Sequence, residues 1–351
     1  MSKIIVFSLG RKGGSVRYAK KVVDNFSGTD HTVYCSRYCI EEKPLNSTEI
    51  NTYKNNFEFI YKTSLFIFFL IKLIYILRKH KYIVLYFPYF HYWNYLIIVF
   101  FKIFKTTKVI STVHDGILHT GDGLLLEQYL NRKVIQFSDS IIFLTKYVRN
   151  KVLKEIGFNG TSFVIPHGIF EINGLVNKPR VLKNKKLLFF GRVNKYKGVE
   201  MLVDALNYLP EDSFTSLTIA GKFSYNYSVN STKIDIIDKW ITEAELVAIF
   251  NNHDILVIPY TEATQSGVIS IGIYSCMPMV VTDVGGLNEQ LNKSESIFVK
   301  PTSENIARGL KELLENAELY NSLSIRLKQK SETISWKNIS NSIFNVISEV
   351  K

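Results

Sequence analysis

"KLLFFGRVNKYKGVEMLVDALNYL", residues 186–209, starts as one kind of element and ends as another. Leu187 to Phe190 form an unbroken apolar run that stops at Gly191. Apolar side chains return at Val199, Leu202, Val203 and Leu206, the spacing of a helix with one buried face. An unbroken apolar strand leading into an amphipathic helix is the unit of a parallel sheet covered on both sides. The loop between them carries Arg192 and Lys197. Ligands of such sheets bind just beyond the carboxyl ends of the strands, so chemistry is expected in this loop. Two cations beside a helix N-terminus suit a diphosphate leaving group, because Arg and Lys can neutralise it without a metal ion. The absence of any Asp-x-Asp triplet agrees with that reading. A solvated basic loop is the plain alternative.

The same alternation runs outward in both directions. Downstream come the strand "SLTIAGK" (216–222), a helix over 242–253 with Thr242 and Glu245 as a capping box, the strand "DILVIPY" (254–260) and the strand "MVVTDVGG" (279–286). Amphipathic helices are predicted over 303–316, over 320–330 and from Trp336 to the end. Upstream, "KIIVFSL" (3–9), "HTVYCS" (31–36), "KYIVLYF" (81–87), "KVISTV" (108–113), "DSIIFLT" (139–145) and "TSFVIPHGI" (161–169) read as strands separated by helix-length segments. "NGLVNKPRVLKNK" (173–185), with its Asn, Gly, Pro and basic residues, reads as a linker. Two similar βα series joined by a linker make two Rossmann-like domains, over 1–172 and 173–335. The segment 336–351 is expected to return to the first.

Composition narrows the classes. A chain of 351 residues with 46% hydrophobic residues can bury two cores. Cys35, Cys39 and Cys276 are odd in number and lack the paired spacing of a zinc site. The opening "KIIVFSLG" runs straight into Gly and basic residues, unlike a cleavable leader, so a cytoplasmic location is expected. Residues 1–170 hold 23 Lys and Arg against 11 Asp and Glu, whereas 171–351 hold 20 of each sign. No acid lies between Glu58 and Asp115, where two dense apolar runs occur at 64–77 and 92–104. Each run is shorter than the roughly 20 residues of a bilayer span and is interrupted by Lys. They read either as core helices or as helices lying on an anionic membrane surface. With no RNA- or DNA-binding motif, no nucleic-acid partner is expected.

Three further loops follow predicted strands. Gly13 and Gly14 open a helix, where backbone amides favour anions, though a tight turn explains them equally well. "STVHDGILHTGDG" (111–123) sets His114 beside Asp115 at a strand end, with His119 in the same loop. An imidazole next to a carboxylate can orient a sugar hydroxyl or move a proton; turn capping is the alternative. "YTEATQSGVIS" (260–270) is a polar loop between two pieces of core.

"FFGRVNKYKGVEMLVDAL", "LTIAGK", "DILVIPYTEATQSGV" and "VVTDVGG" come in the order and spacing of retaining GT-B glycosyltransferases of family 4 (glycosyl transferases group 1), and the chain resembles that family over nearly its whole length. The resemblance implies an α/β fold of GT-B type, two Rossmann-like domains facing each other across a cleft. It implies transfer of a sugar from a nucleotide-diphosphate donor, as co-substrate and without other cofactor or metal, to an acceptor with retained configuration. The donor would sit mainly on the second domain and the acceptor on the first. Carried over by position, Arg192 and Lys197 would hold the diphosphate and His114 would contact the transferred sugar, with Asp115 beside it. The amides around Ser266, Gly267 and Val268 would meet phosphate and sugar. Gly13, Gly14, His119, Gly191, Gly221, Glu262 and Gln265 complete the expected substrate contacts.

The sequence departs from the family in one respect. Family members commonly carry two Glu eight positions apart, one for the sugar and one for the ribose. Counted back from Pro278, those positions hold Ala263 and Ile271, while Glu262 stands one residue early. A subgroup with a "QSGV" phosphate loop, a different nucleoside contact and a weakened catalyst all remain open. The expectation is a peripheral membrane enzyme on the inner face of the cell membrane. It would build bacterial O-antigen, capsule or exopolysaccharide on a saccharide acceptor linked to a polyprenyl diphosphate. A nucleotide-sugar epimerase and a non-catalytic membrane- or partner-binding protein are the alternatives.

Overall fold

The structure is a computed structural model that describes residues 2–26, 30–103, 106–114 and 125–349. The chain forms two compact units, 1–167 with 336–351, and 168–335. The elements of the first run β1 (Ser2–Ser8), α1 (Gly14–Asp24), β2 (His31–Ser36), β3 (Thr48–Ile50), α2 (Asn56–Leu77), β4 (Tyr82–Phe87), α3 (Trp93–Phe101), β5 (Thr107–Val113), α4 (Leu125–Phe137), β6 (Ser140–Phe143), α5 (Lys146–Ile156) and β7 (Thr161–Val164). The second holds β8 (Lys186–Phe190), α6 (Val199–Leu206), β9 (Ser216–Ala220), β10 (Ile234–Ile237), α7 (Glu243–Asn251), β11 (Ile255–Ile258), α8 (Gly267–Tyr274), β12 (Met279–Thr282), α9 (Leu287–Gln290), β13 (Ile297–Val299), α10 (Ser303–Glu315) and α11 (Ala317–Thr333). The last helix, α12 (Trp336–Glu349), belongs to the first unit.

In the first unit the strands form one sheet in the order β3-β2-β1-β4-β5-β6-β7, with all pairs parallel. β1 is central: Val6 sits between Val33 of β2 and Tyr86 of β4, and Ile5 to Phe7 are fully buried. An apolar run without alternation is what a strand covered on both faces requires. The final helix packs on α1, with the Trp336 indole edge-on to Tyr18 at 5.7 Å and Phe344 against Phe26 at 5.6 Å.

The second unit repeats the plan with six parallel strands in the order β10-β9-β8-β11-β12-β13. Leu188 of β8 lies between Thr218 of β9 and Leu256 of β11. The expected capping box starts α7, each of Thr242 and Glu245 bonding the other's backbone N–H. In both sheets the connections leave the central strand in opposite directions, so a crevice opens at the β1/β4 and β8/β11 carboxyl ends.

Two expectations change. The stretch 173–185, read as a linker, has no regular structure and belongs to the second compact unit. The Arg180 guanidinium donates to the carbonyls of Ser275 (2.6 Å), Phe250 and His253 (3.0 Å each), capping the C-terminal ends of α7 and α8. The apolar segment after "QSGV" becomes helical already at Gly267, so the loop ends inside its own motif.

Candidate active site

The β8–α6 loop and the β11–α8 loop meet at the crevice of the second sheet. The Thr261 N–H donates to the Tyr196 carbonyl at 2.8 Å. A single turn of 3-10 helix, Lys195–Lys197, then brings Lys197 over the Tyr260 ring, with Nζ 3.6 Å from the centroid. That contact orients the ammonium without neutralising it. Arg192 stands exposed on the same loop. Gly198, at φ 67°, explains how the loops come so close: a Cβ there would lie 2.0 Å from the Pro259 carbonyl oxygen. Gly221 is accounted for the same way. At φ 151° its Cβ would meet the Gly191 oxygen at 2.0 Å, so glycine is what lets the chain pass this close after β9.

The loop from Thr261 to Ser266 leads into α8. Ser266 is its N-cap, and the Tyr260 hydroxyl lies 3.3 Å from Ser266 Oγ. The Ser266 amide is not open to a ligand, contrary to the sequence reading. It donates to Oε1 of Gln290 at 2.6 Å, and Gln290 Nε2 donates back to the Ser266 carbonyl at 3.1 Å. The first-turn amides of α8, at Gly267 and Val268, are those a ligand can meet. Nothing lies within 4 Å of the Cβ position of Gly267, whereas a Cβ on Gly191 would touch Val268. Gln265 is half-buried, and its Oε1 has no hydrogen-bond partner among the described residues. Glu262 is half-buried at the loop's start. Ala263 is buried beneath the turn at Gly285 and Gly286, whose N–H bonds the Ala263 carbonyl, and Ile271 packs against the core. Neither position offers a ribose an oxygen from its side chain.

At the carboxyl ends of β1, β4 and β5, the first unit has a cavity of about 280 Å³ lined by Gly10, Lys12, Tyr89, His114, Glu127 and Asn131, among others. A second, of about 240 Å³, shares Gly10, Phe90 and Glu127 with it and adds Tyr53 and His91. His114 Nε2 donates to the Pro88 carbonyl at 2.9 Å, which fixes the ring at the carboxyl end of β4. Burial, with help from the Arg11 charge, pushes the His91 imidazole down to about 3. His91 Nδ1 accepts the Trp93 N–H, so His91 is a neutral framework residue. Burial also raises the Tyr89 phenol, which is bonded to the Gly10 N–H at 2.7 Å and to Ser8. The expected anion seat at the start of α1 is partly filled from within. The Gly13 N–H donates to Glu41 Oε1 at 3.1 Å, and Arg17 pairs with Glu41 Oε2 at 2.7 Å. Among the described residues, and chain neighbours aside, nothing lies within 4 Å of the Cβ position of Gly14. Asp115 and His119 lie outside the described residues.

Residues 184–316 match the family described as Glycosyl transferases group 1, and residues 12–170 match Glycosyltransferase Family 4. The chain belongs to the family 4, group 1 glycosyltransferases. None of the curated proteins matches the sequence of this glycosyltransferase. Among solved structures it is similar to the sucrose-phosphate synthase of Thermosynechococcus elongatus, at TM-score 0.74 and 13% identity over 100% of this chain and 99% of that one. It is similar to Anabaena HepE in complex with UDP-glucose, at TM-score 0.72 and 12% identity over 99% of each chain. It is also similar to WaaG, a glycosyltransferase involved in lipopolysaccharide biosynthesis, at TM-score 0.66 and 13% identity over 99% of each chain. The shared fold is GT-B, two parallel-sheet α/β units in one chain.

Sequence reasoning found the two loops of the glycosyltransferase's second unit but not Tyr260 or Gln290, which hold them in place. Tyr260 had a readable signal, as the last residue of a strand followed by a polar loop. Gln290 had none, since it reaches the loop across 24 residues of chain. Glu127 and Tyr89 of the first crevice were missed for the same reason.

Proposed function

We propose that this glycosyltransferase moves a sugar from a nucleoside diphosphate to a saccharide acceptor with retention of configuration and without a metal ion. The observation that carries the reading is the meeting of the β8–α6 loop, which carries Arg192 and Lys197, with the start of α8 at the β8/β11 crevice: Lys197 lies over Tyr260, whose hydroxyl is 3.3 Å from the N-cap Ser266, and a Cβ on Gly191 would touch Val268. Two cations and the positive end of a helix suit the leaving diphosphate. The amides of Gly267 and Val268 take phosphate oxygens, and the space beside Gly267 lets the ligand approach the backbone. Gln265, whose oxygen has no partner among the described residues, and Glu262 are assigned to sugar hydroxyls. His114 is assigned to the transferred sugar.

In the reaction, the bond from the anomeric carbon to the diphosphate oxygen breaks. The acceptor oxygen bonds that carbon on the same face, and the acceptor proton passes to the departing diphosphate. Arg192 and Lys197 hold the charge that develops there. The acceptor is a lipid-linked saccharide of bacterial surface-polysaccharide assembly, met at the cytoplasmic face of the membrane. The basic, apolar first unit and the likeness to WaaG support that part.

The test is a turnover screen over UDP- and GDP-sugars, with product configuration read by NMR. Arg192→Ala and Lys197→Ala should each lower turnover by roughly 10²–10³, the scale of losing one preorganised charge stabiliser. Activity should survive EDTA. Wild-type rates in both variants would refute the assignment.

A further inference from the structure

The two apolar runs of the first unit have different fates. The second became α3, a core helix: Trp93, Ile97, Ile98 and Phe101 are at most 1% exposed. The first became α2, which is apolar on two opposite sides. Phe66, Leu70, Leu73 and Leu77 face the sheet and are buried. On the other side Phe57, Tyr61, Phe68, Ile71 and Tyr75 form a stripe at helical spacing, with Phe57 86%, Phe68 70% and Tyr75 61% exposed. That stripe runs for about 27 Å along the helix. A surface helix of a soluble domain has one apolar face, so the second needs a partner.

We infer that this outer stripe of α2 is a membrane-docking surface that lies in the plane of an anionic phospholipid leaflet. The charge around it selects the partner. Lys72, Arg78 and Lys79 are exposed on or just beyond the helix, Lys81 follows, and no acid lies between Glu58 and Asp115. The Arg78 guanidinium sits 3.9 Å from the Tyr75 ring centroid and the Lys62 ammonium 5.8 Å from that of Tyr61, placing cation and aromatic together as at a headgroup boundary. The helix is long and apolar enough to span a bilayer, yet topology forbids it. α2 connects β3 to β4, strands of one sheet, and its buried side is part of that sheet's core. Crossing would place the two strands on opposite sides of the membrane and strip that core. The inference does not depend on which reaction the second unit carries.

Co-flotation with vesicles tests it on the full chain without any substrate. Wild type should float with phosphatidylglycerol vesicles at low salt, far less with phosphatidylcholine, and be released by alkaline carbonate. Phe57→Ser, Phe68→Ser and Tyr75→Ser combined should lower partitioning by at least about tenfold, given the apolar area removed, with an unchanged melting temperature. Val181→Ser with Ile325→Ser, exposed apolar positions of the second unit, should leave it unchanged. Equal flotation of the triple variant, equal binding to both lipids, or retention after carbonate would each overturn the inference. So would a wild-type dimer that the triple variant dissolves while neither form binds lipid.

Discussion

The two central strands of this molecule end in loops that begin alike, "GRKGG" at 10–14 and "GRVNK" at 191–195. Both lie at the point where the sheet's connections reverse. In the first, Glu41 accepts the Gly13 amide and pairs with Arg17, while Arg11 donates to the Lys54 carbonyl. In the second, Lys197 rests on the Tyr260 ring, and Arg192 is an exposed residue of the same loop. The same topology therefore gives one anion seat that the protein furnishes with its own carboxylate and one where a lysine rests on an aromatic ring, the seat proposed for the donor diphosphate. Position in a fold says where a ligand can bind; local charge says whether the place is taken.

Glycine substitutions should separate the loops most sharply. Gly221→Ala drives a Cβ to within 2.0 Å of the Gly191 oxygen at φ 151°, and should cost about 3 kcal/mol or more in stability. Gly13→Ala meets nothing within 4 Å among the described residues and bears only the strain of φ 100°, ψ 175°, roughly 1–3 kcal/mol. Chemical denaturation of both variants checks this; equal losses would mean that the close approach of Gly221 to Gly191 adds nothing to the backbone strain.

Acid should act through the first crevice. His91 is neutral in the folded chain, its imidazole held down at about 3 by burial and then by Arg11 of the loop after β1. The unfolded chain binds a proton near the usual value of about 6.5, so this contribution to stability is complete above that pH and is lost as pH falls toward 3. Over that window one proton gives a slope of ~1.4 kcal/mol per pH unit. His91→Gln should flatten the measured stability–pH slope by that amount; an unchanged slope would mean that His91 titrates normally. Glu41→Gln should have the smallest effect, within about 1 kcal/mol, because its partners are exposed.

The legible parts of the fold were those decided by local pattern. Central strands such as β1, β4 and β11 are unbroken apolar runs because both faces are covered. The three strands not read, β3, β10 and β13, are all edge strands of three or four residues, too short and too exposed to show a period. The site divides in the same way. Arg192, Lys197 and Gly267 were readable because sheet topology puts ligands after strands. Gln290 on Ser266 and Glu41 on Gly13 were not, since tertiary packing alone joins them. The apolar runs at 64–77 and 92–104 are indistinguishable by composition. Only the fold shows that one is core and the other keeps an outer face.

The most direct test of the contrast is calorimetric titration of UDP and GDP into wild type, Lys197→Ala and Glu41→Gln. One nucleotide should bind wild type and Glu41→Gln with equal affinity, and Lys197→Ala at least about tenfold more weakly, the loss of a charge-assisted contact. Undiminished binding to Lys197→Ala, or binding that Glu41→Gln alone changes, would place the anion seat in the wrong unit.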